Sequence, residues 1–209
     1  MAESLESTDL QRQRAEWRRK SWTVPDLRGG KQAWFSLVSK LVALIGAGQV
    51  AELDAYPDIS NPQPWRVYAS FLRWAGLANI KQGRLVLSDL GSAFQRNPTK
   101  KQLADILQER VRLFVEILNT LDPTPSTVKE VDERVCRTYG LNWADLSNTR
   151  KRMDWLEVLG LIESVGNRKW GVTNLGKESL KEWSLISPEA LESIDFSSVA
   201  HHVYSAIGA

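Results

Sequence analysis

A self-similarity with a period near 84 residues constrains this chain more than any other feature. Phe71-Leu72-Arg73-Trp74-Ala75-Gly76-Leu77 aligns with Trp155-Leu156-Glu157-Val158-Leu159-Gly160-Leu161, and Leu87-Ser88-Asp89-Leu90-Gly91 aligns with Val172-Thr173-Asn174-Leu175-Gly176. In each copy a bulky aromatic opens the last turns of a helix and Gly-Leu ends it. A short polar hairpin follows, then a hydroxyl residue able to cap another helix. Two such copies within 209 residues imply two domains of one architecture.

The residue types say what each copy builds. In the first, Asn61 suits an N-cap and Pro62 the first helical position, where a missing N–H costs nothing. Trp65, Tyr68, Leu72 and Ala75 recur at helical spacing, which puts Gln63, Arg66, Ser70 and Arg73 on the opposite face. Gly76 can stop the helix in the left-handed conformation. Ala78 to Ile80 and Arg84 to Leu87 read as strands around Lys81-Gln82-Gly83, and Ser88 caps a helix running to about Gln95. Upstream, Trp34, Leu37, Leu41, Leu44 and Ile45 predict a helix ending at Gly46-Ala47-Gly48, followed by a short helix from Gln49 to Ala55. That order of elements is the order of a winged helix-turn-helix.

The second copy repeats it. Thr99 and Gln102 form a capping box opening one helix with Leu103, Ile106, Val111, Phe114, Ile117, Leu118 and Leu121 on its buried side. Asp122-Pro123-Thr124-Pro125 ends that helix. Thr127 and Glu130 make a second capping box, and Val128, Val131 and Val135 carry the next helix to a stop at Gly140. Ser147 is expected to cap a helix with Arg150, Lys151 and Arg152 in its first turn and Met153, Leu156 and Leu159 inward. Ile162 to Val172 is a hairpin with Gly166-Asn167-Arg168-Lys169 at its tip. The expected fold class is therefore mainly α (α+β): two tandem winged helix-turn-helix domains with small β-hairpin wings, at 31–98 and 99–183. A basic, flexible N-terminal arm (1–30) precedes them. A helical extension (184–209) follows, with Leu185, Ile186, Leu191, Ile194, Phe196 and Val199 to pack on the body or mediate oligomerisation.

The net charge of +2 hides an uneven distribution. Gln11 to Lys31 holds seven bases (Arg12, Arg14, Arg18, Arg19, Lys20, Arg28, Lys31) against Glu16 and Asp26, a local +5. Lys177 to Ala209 carries a local −3. Between Pro62 and Arg84 lie Arg66, Arg73, Lys81 and Arg84 with no acid at all. A cationic stripe of this kind suits a polyanion, because binding releases condensed counterions. Most basic runs are only solvated faces, but an acid-free segment that also carries a helix-turn-helix pattern is harder to dismiss.

Double-stranded DNA is thus the expected partner. A helix-turn-helix places the N-terminal half of its second helix in the major groove, and a wing grips the adjacent backbone. In copy one this makes Gln63, Arg66 and Ser70 the candidate base readers, with Arg73 further out and Lys81, Gln82 and Arg84 on the wing. In copy two the counterparts are Ser147, Asn148, Arg150 and Lys151, with Arg168 and Lys169 on the wing. Asp154 and Glu157 stand where copy one has Ser70 and Arg73, so copy two is expected to be the weaker reader. Arg12 and Arg14 of the arm are candidates for the minor groove. Trp17 and Trp22, expected exposed, would serve a protein partner equally well.

Other chemistry is thin. The single cysteine, Cys136, excludes a disulfide framework and reads as a small core residue. His201-His202 has no further His or Cys at ligand spacing, so no metal or cofactor is expected. Asp58 follows a proline, as in magnesium-dependent nucleases, but no Glu-x-Lys occurs in the chain. Nor is there a phosphate-cradling Gly-x-x-x-x-Gly-Lys loop. No apolar run approaches the ~18 residues of a membrane span. A non-enzymatic protein without membrane attachment is expected, cytoplasmic and nucleoid-associated.

The stretch from Phe71 to Gly91 resembles the DNA-recognition region of FokI-type (type IIS) restriction endonucleases, and Asn148 to Leu180 resembles the later winged helix of that region. The resemblance covers about residues 30–183 and rests on helix-end and wing motifs that many winged helices share. In that family some copies serve protein contacts instead of DNA, and the cleavage domain has no counterpart here. The resemblance implies a recognition subunit of a restriction or antiviral defence system that positions a separate nuclease. Two alternatives stand beside it: a winged-helix protein–protein scaffold subunit, and a transcriptional regulator acting as a homodimer.

Overall fold

Helix formation follows the apolar spacing, and the pairing of hairpins follows the turn residues. A computed structural model describes residues 2–24, 27, 29–49 and 65–191. The architecture is mixed α+β, mainly helical, with two small antiparallel sheets. The elements are α1 (Ala2–Arg19), α2 (Trp34–Gly46), α3 (Trp65–Trp74), β1 (Ala78–Lys81), β2 (Arg84–Leu87), α4 (Asp89–Arg96), α5 (Lys100–Arg110), α6 (Phe114–Leu121), α7 (Val128–Tyr139), α8 (Ser147–Val158), β3 (Ile162–Gly166), β4 (Lys169–Val172) and α9 (Asn174–Glu182). Short 3-10 turns occupy Lys31–Ala33 and Pro188–Ala190. The chain divides into two compact units, Met1–Arg19 with Leu185–Ala209, and Lys20–Ser184.

In the smaller unit, residues expected to be a flexible arm form the 18-residue helix α1. Arg14 Nε donates to the Ala190 carbonyl (3.1 Å) and the Ser187 N–H donates to Gln13 Oε1 (2.8 Å), so this helix is tied to the C-terminal 3-10 turn. Ile186 and Leu191 are buried while Leu185 is 40% exposed. Ile194, Phe196, Val199 and His201-His202 lie outside the described residues, as do Asn61, Pro62 and nearly all of the short helix expected after Gly48.

In the larger unit the sequence repeat becomes a repeated clasp. Gly76 and Gly160 sit at φ 76° and 77°, a left-handed stop that β-carbon-bearing residues resist. The turn that follows is closed by Leu77 N–H to the Leu72 carbonyl and Leu161 N–H to the Leu156 carbonyl, each 2.8 Å. Ser88 Oγ donates to the Gly76 carbonyl (2.6 Å) and accepts from the Gly91 N–H (2.9 Å). Thr173 Oγ1 does the same with Gly160 (2.7 Å) and Gly176 (3.1 Å). A β-carbon on Gly91 would collide with the Leu77 carbonyl oxygen, and one on Gly176 with that of Leu161. One hydroxyl therefore joins the end of one helix to the start of another, and a glycine lets them touch.

The hairpins differ by one residue. β1 and β2 pair without interruption from Ala78↔Leu87 to Lys81↔Arg84. β3 and β4 pair Ile162↔Val172 through Ser164↔Trp170, then skip Val165 to pair Gly166↔Lys169. That bulge is why the repeat shifts from 84 residues before the hairpin to 85 after it. Trp170 also exchanges both backbone hydrogen bonds with Ser126, at 3.0 Å each.

Each copy packs around one helix that buries a broad apolar face. Leu37, Val38, Leu41, Val42 and Ile45 of α2 are buried, as are Phe114, Val115, Ile117, Leu118 and Leu121 of α6. The copies share a ring cluster: Trp155 lies 4.8 Å from Trp34 and stacks at 6.1 Å on Phe71, and is itself fully buried. Aromatic pairs of this kind add about 0.5–1.5 kcal/mol beyond area burial.

Three expectations need correction. The single helix expected from Thr99 to Leu121 is two, α5 and α6, because Leu113 takes a left-handed conformation (φ 62°). The break lets Ser21 pair with Val111, its N–H donating to the Arg110 carbonyl (2.7 Å) and its carbonyl accepting from Arg112 (3.0 Å). Only the Thr99 half of the first capping box forms, with Gln102 N–H donating to Thr99 Oγ1, whereas the box at Thr127 and Glu130 is complete. Ser147 is not the cap of α8: Leu146 holds the cap position, and the Ser147 N–H donates to Asp145 Oδ1 (2.7 Å).

Candidate nucleic-acid interface

Burial of Tyr68, Ala69, Phe71, Leu72 and Ala75 turns Ser70 and Arg73, three residues apart, to the outer side of α3. Ala78 anchors the hairpin in the core, and Asn79, Ile80 and Lys81 stand exposed beyond it. Helix and strand thereby enclose a groove of about 680 Å³ lined by Ser70, Arg73, Trp74, Ala78, Asn79, Ile80 and Lys81. Among the described residues no carboxylate lines it. Arg73, Lys81 and Arg84 are exposed and make no ion pair among the described residues. Lys81 and Arg84 face each other across the turn. Like charges in that position are destabilising by roughly 0.2–1 kcal/mol, so hairpin stability does not explain them. Gln82 is exposed at the tip with φ 51°. Gln63 lies outside the described residues, and of Arg66 only its place in α3 is described.

At the equivalent positions of copy two the carboxylates are paired within the chain. Lys31 Nζ reaches Asp154 Oδ1 at 3.1 Å and Glu157 Oε2 at 2.6 Å. Trp170 Nε1 donates to the same Glu157 oxygen at 3.0 Å. Burial alone would lower the Lys31 pKa, but the hydrogen bonds it donates to Glu157 and Asp154, with their charges, outweigh it and raise the value above that of ordinary lysine. These carboxylates, expected to repel a phosphate backbone, have an internal purpose: they hold the turn preceding α2. The sequence reading counted Lys31 among the basic residues of an arm. An (i, i+3) acidic pair on α8 was the signal that a cation from elsewhere in the chain would meet them.

The other copy-two residues divide. Ser147 and Arg150 are exposed, while Asn148 is half-buried and its carbonyl accepts from Arg152 Nη1 at 2.8 Å. Lys151 is half-buried near Asp145, whose carboxyl is held below its usual value chiefly by the Ser147 hydrogen bonds. Lys169 lies 4.0 Å from Glu130. Arg168 is exposed at the tip with φ 56°, a conformation that costs a non-glycine residue roughly 1–2 kcal/mol. Copy two thus keeps cations at its helix start and hairpin tip, while Lys31, the cation at its groove positions, is paired with Asp154 and Glu157.

Arg152 belongs to the core. It is fully buried and donates to the carbonyls of Arg112 (2.7 Å), Asn148 (2.8 Å) and Trp22 (3.0 Å). Desolvation pushes its pKa down to about 9, which leaves it charged at neutral pH, and Glu116 acts in the opposite direction. Its guanidinium lies 5.4 Å from the Trp143 ring, and that of Arg112 lies 5.1 Å from Trp22. Trp22 is half-buried, packed edge-on against Trp143 at 6.3 Å, and Trp17 is buried. Both were expected as exposed rings and are not.

No family model, no curated protein and no solved structure matches this chain.

In the smaller unit, Arg12 is exposed and pairs with Asp9 at 2.5 Å, one turn earlier on α1. Arg14 is half-buried against Ala190, so the structure does not leave both of these arginines free as a minor-groove arm would need. Cys136 is half-buried, not a core residue, and burial pushes its thiol up, with Asp132 adding to the shift. That is the reverse of a reactive thiolate. No group of three or more His, Cys, Asp or Glu is arranged to hold a metal among the described residues. No helix among them is long and apolar enough to cross a membrane.

Proposed function

We propose that the chain carries two winged helix-turn-helix copies and binds double-stranded DNA through the first of them. One observation carries this reading: the α3–β1 groove presents Arg73 and Lys81, with Arg84 across the turn, against no carboxylate among the described residues, while on the same surface of copy two Lys31 pairs with Asp154 and Glu157. In this reading α3 lies in the major groove, where Arg and Asn have edges able to distinguish bases. Lys81, Gln82 and Arg84 hold phosphate from the wing, and Arg150 and Arg168 of copy two add phosphate contacts. Such contacts set affinity and register and carry no sequence information themselves. The protein acts by binding, as a recognition subunit for a separate enzyme of a restriction or defence system.

Titration of the full chain against labelled duplex, with single-stranded DNA and heparin as competitors, tests this. Duplex binding that weakens steeply with salt is expected, and roughly tenfold or greater weakening in Arg73→Ala/Lys81→Ala. A flat salt response with unchanged affinity in the double variant would reject it. A scaffold reading has one observation in its favour: the Asp154–Glu157 face already serves a contact within the protein.

A further inference from the structure

Ile80 is 54% exposed, more than any other large hydrophobic residue described, yet it lines a groove whose described charged members, Arg73 and Lys81, are cations. Its cross-strand partner, Leu85, is only 6% exposed and belongs to the core. The strand faces alternate, so Ile80 continues the apolar side of Ala78 out past the body of the protein. Leaving such a side chain in water forgoes about 1.5–3 kcal/mol of burial. The half-buried indole of Trp74 lines the same groove.

The internal repeat supplies an independent comparison. In the aligned register Ser164 pairs with Trp170 as Ile80 pairs with Leu85, so the copy-two residue at this place is serine. The other lining positions change with it: Trp74 becomes Val158, Asn79 becomes Glu163 and Lys81 becomes Gly166. The exposed apolar side chain of the copy-two hairpin, Val165 (52% exposed), stands one residue further on, in the bulge outside the ladder, so the Ile80 position itself is polar in copy two.

We propose that Ile80 makes the groove selective for the C5-methyl group of a pyrimidine, thymine or 5-methylcytosine, in the duplex that copy one binds. This rests on the DNA-binding reading above. The C5-methyl is the apolar feature of the major-groove edge, and Arg73 and Lys81 beside Ile80 bring a duplex to it. Covering one methyl on Ile80 changes affinity by about fourfold, the factor expected for burying one CH₂-sized group. Ser70 and Asn79 are placed to bond the neighbouring polar edges.

The test uses the full chain and the tightest-binding duplex recovered from a random pool. Each thymine is replaced in turn by uracil, and each cytosine by 5-methylcytosine. One thymine-to-uracil change that weakens binding about fourfold is expected if thymine is the source. A gain of similar size at one 5-methylcytosine is expected if the modified base is. Either effect disappears in Ile80→Ser, which copies copy two, and persists in Ile80→Val, with both variants melting as the wild type does. Wild-type binding indifferent to every methyl, or a methyl effect that survives in Ile80→Ser, overturns this proposal alone. No duplex binding at all overturns the DNA-binding reading with it.

Discussion

Copy one and copy two share their clasp bond for bond and diverge on the outward face between helix and hairpin. The clasp from Gly76 to Gly91 recurs from Gly160 to Gly176 with hydrogen bonds matching to within 0.2 Å (2.6 and 2.7 Å; 2.9 and 3.1 Å). On the groove, Ser70 becomes Asp154 and Arg73 becomes Glu157, and these carboxylates receive Lys31. The comparison separates two kinds of constraint. Hydroxyl, glycine and leucine positions are set by backbone geometry that any copy must satisfy. Charge on the groove is set by what the groove touches, and here one copy touches its neighbour while the other remains open.

The largest effect should come from the ring the copies share. Trp155→Ala removes the partner of both Trp34 and Phe71 and should cost about 3–5 kcal/mol in urea unfolding, abolishing a single transition or moving it far down. A loss below ~1 kcal/mol would show that the copies do not lean on each other. The clasp offers a sharper test. Gly91→Ala and Gly176→Ala each force a β-carbon into a carbonyl oxygen, and each should cost about 1–3 kcal/mol. Nearly equal losses support one architecture built twice, and tolerance at one site breaks the equivalence.

Much of this was legible in the residues. Gly-Leu after an aromatic helix end, and Ser or Thr two residues before Leu-Gly, announce the clasp because few other residue types can make it. Thr127 with Glu130 announced α7 for the same reason. What could not be read depends on contacts distant in sequence. The break at Leu113 accompanies the pairing of Ser21 with Val111, a contact distant in sequence that nothing local to Thr99–Leu121 signals. Arg152 follows Arg150 and Lys151 in an exposed-looking run, yet its guanidinium is met by carbonyls from Trp22 and Arg112. The groove residues Ser70, Arg73 and Lys81 were identified from helical spacing and turn chemistry, and the structure brings them together. Trp74, Asn79 and Ile80 were missed, since apolar and neutral residues carry no charge signal.

Smaller effects bear on the join between the copies. Lys31→Met should cost at most about 1 kcal/mol, because the pair with Asp154 and Glu157 is partly solvated. The folded Lys31 pKa is raised above 10.5, so this contribution is complete at pH below the ordinary lysine value and is lost as pH rises through the folded one. Thermal melts of wild type and Lys31→Met should therefore stay apart at pH 7 and converge only as pH rises through the raised Lys31 value. Glu130 gives the opposite sign and the smallest effect. The Thr127 backbone and hydroxyl hold its carboxyl below 4.5, so its contribution is present above that pH and fades as pH falls through the lowered value. The melting difference between wild type and Glu130→Gln should persist at pH 5 and above, and vanish in stronger acid.

The central claim is that copy one, and not copy two, offers the open nucleic-acid surface. Its most direct test is the salt dependence of duplex affinity for the wild type, for Arg73→Ala/Lys81→Ala/Arg84→Ala, and for Arg150→Ala/Arg168→Ala/Lys169→Ala. Each phosphate contact contributes about 0.9 to the slope of log affinity against log salt. The account predicts a slope reduced by roughly 2–3 in the copy-one triple, and by less in the copy-two triple. Equal slopes for the wild type and the copy-one triple, or a larger loss in the copy-two triple, would contradict it.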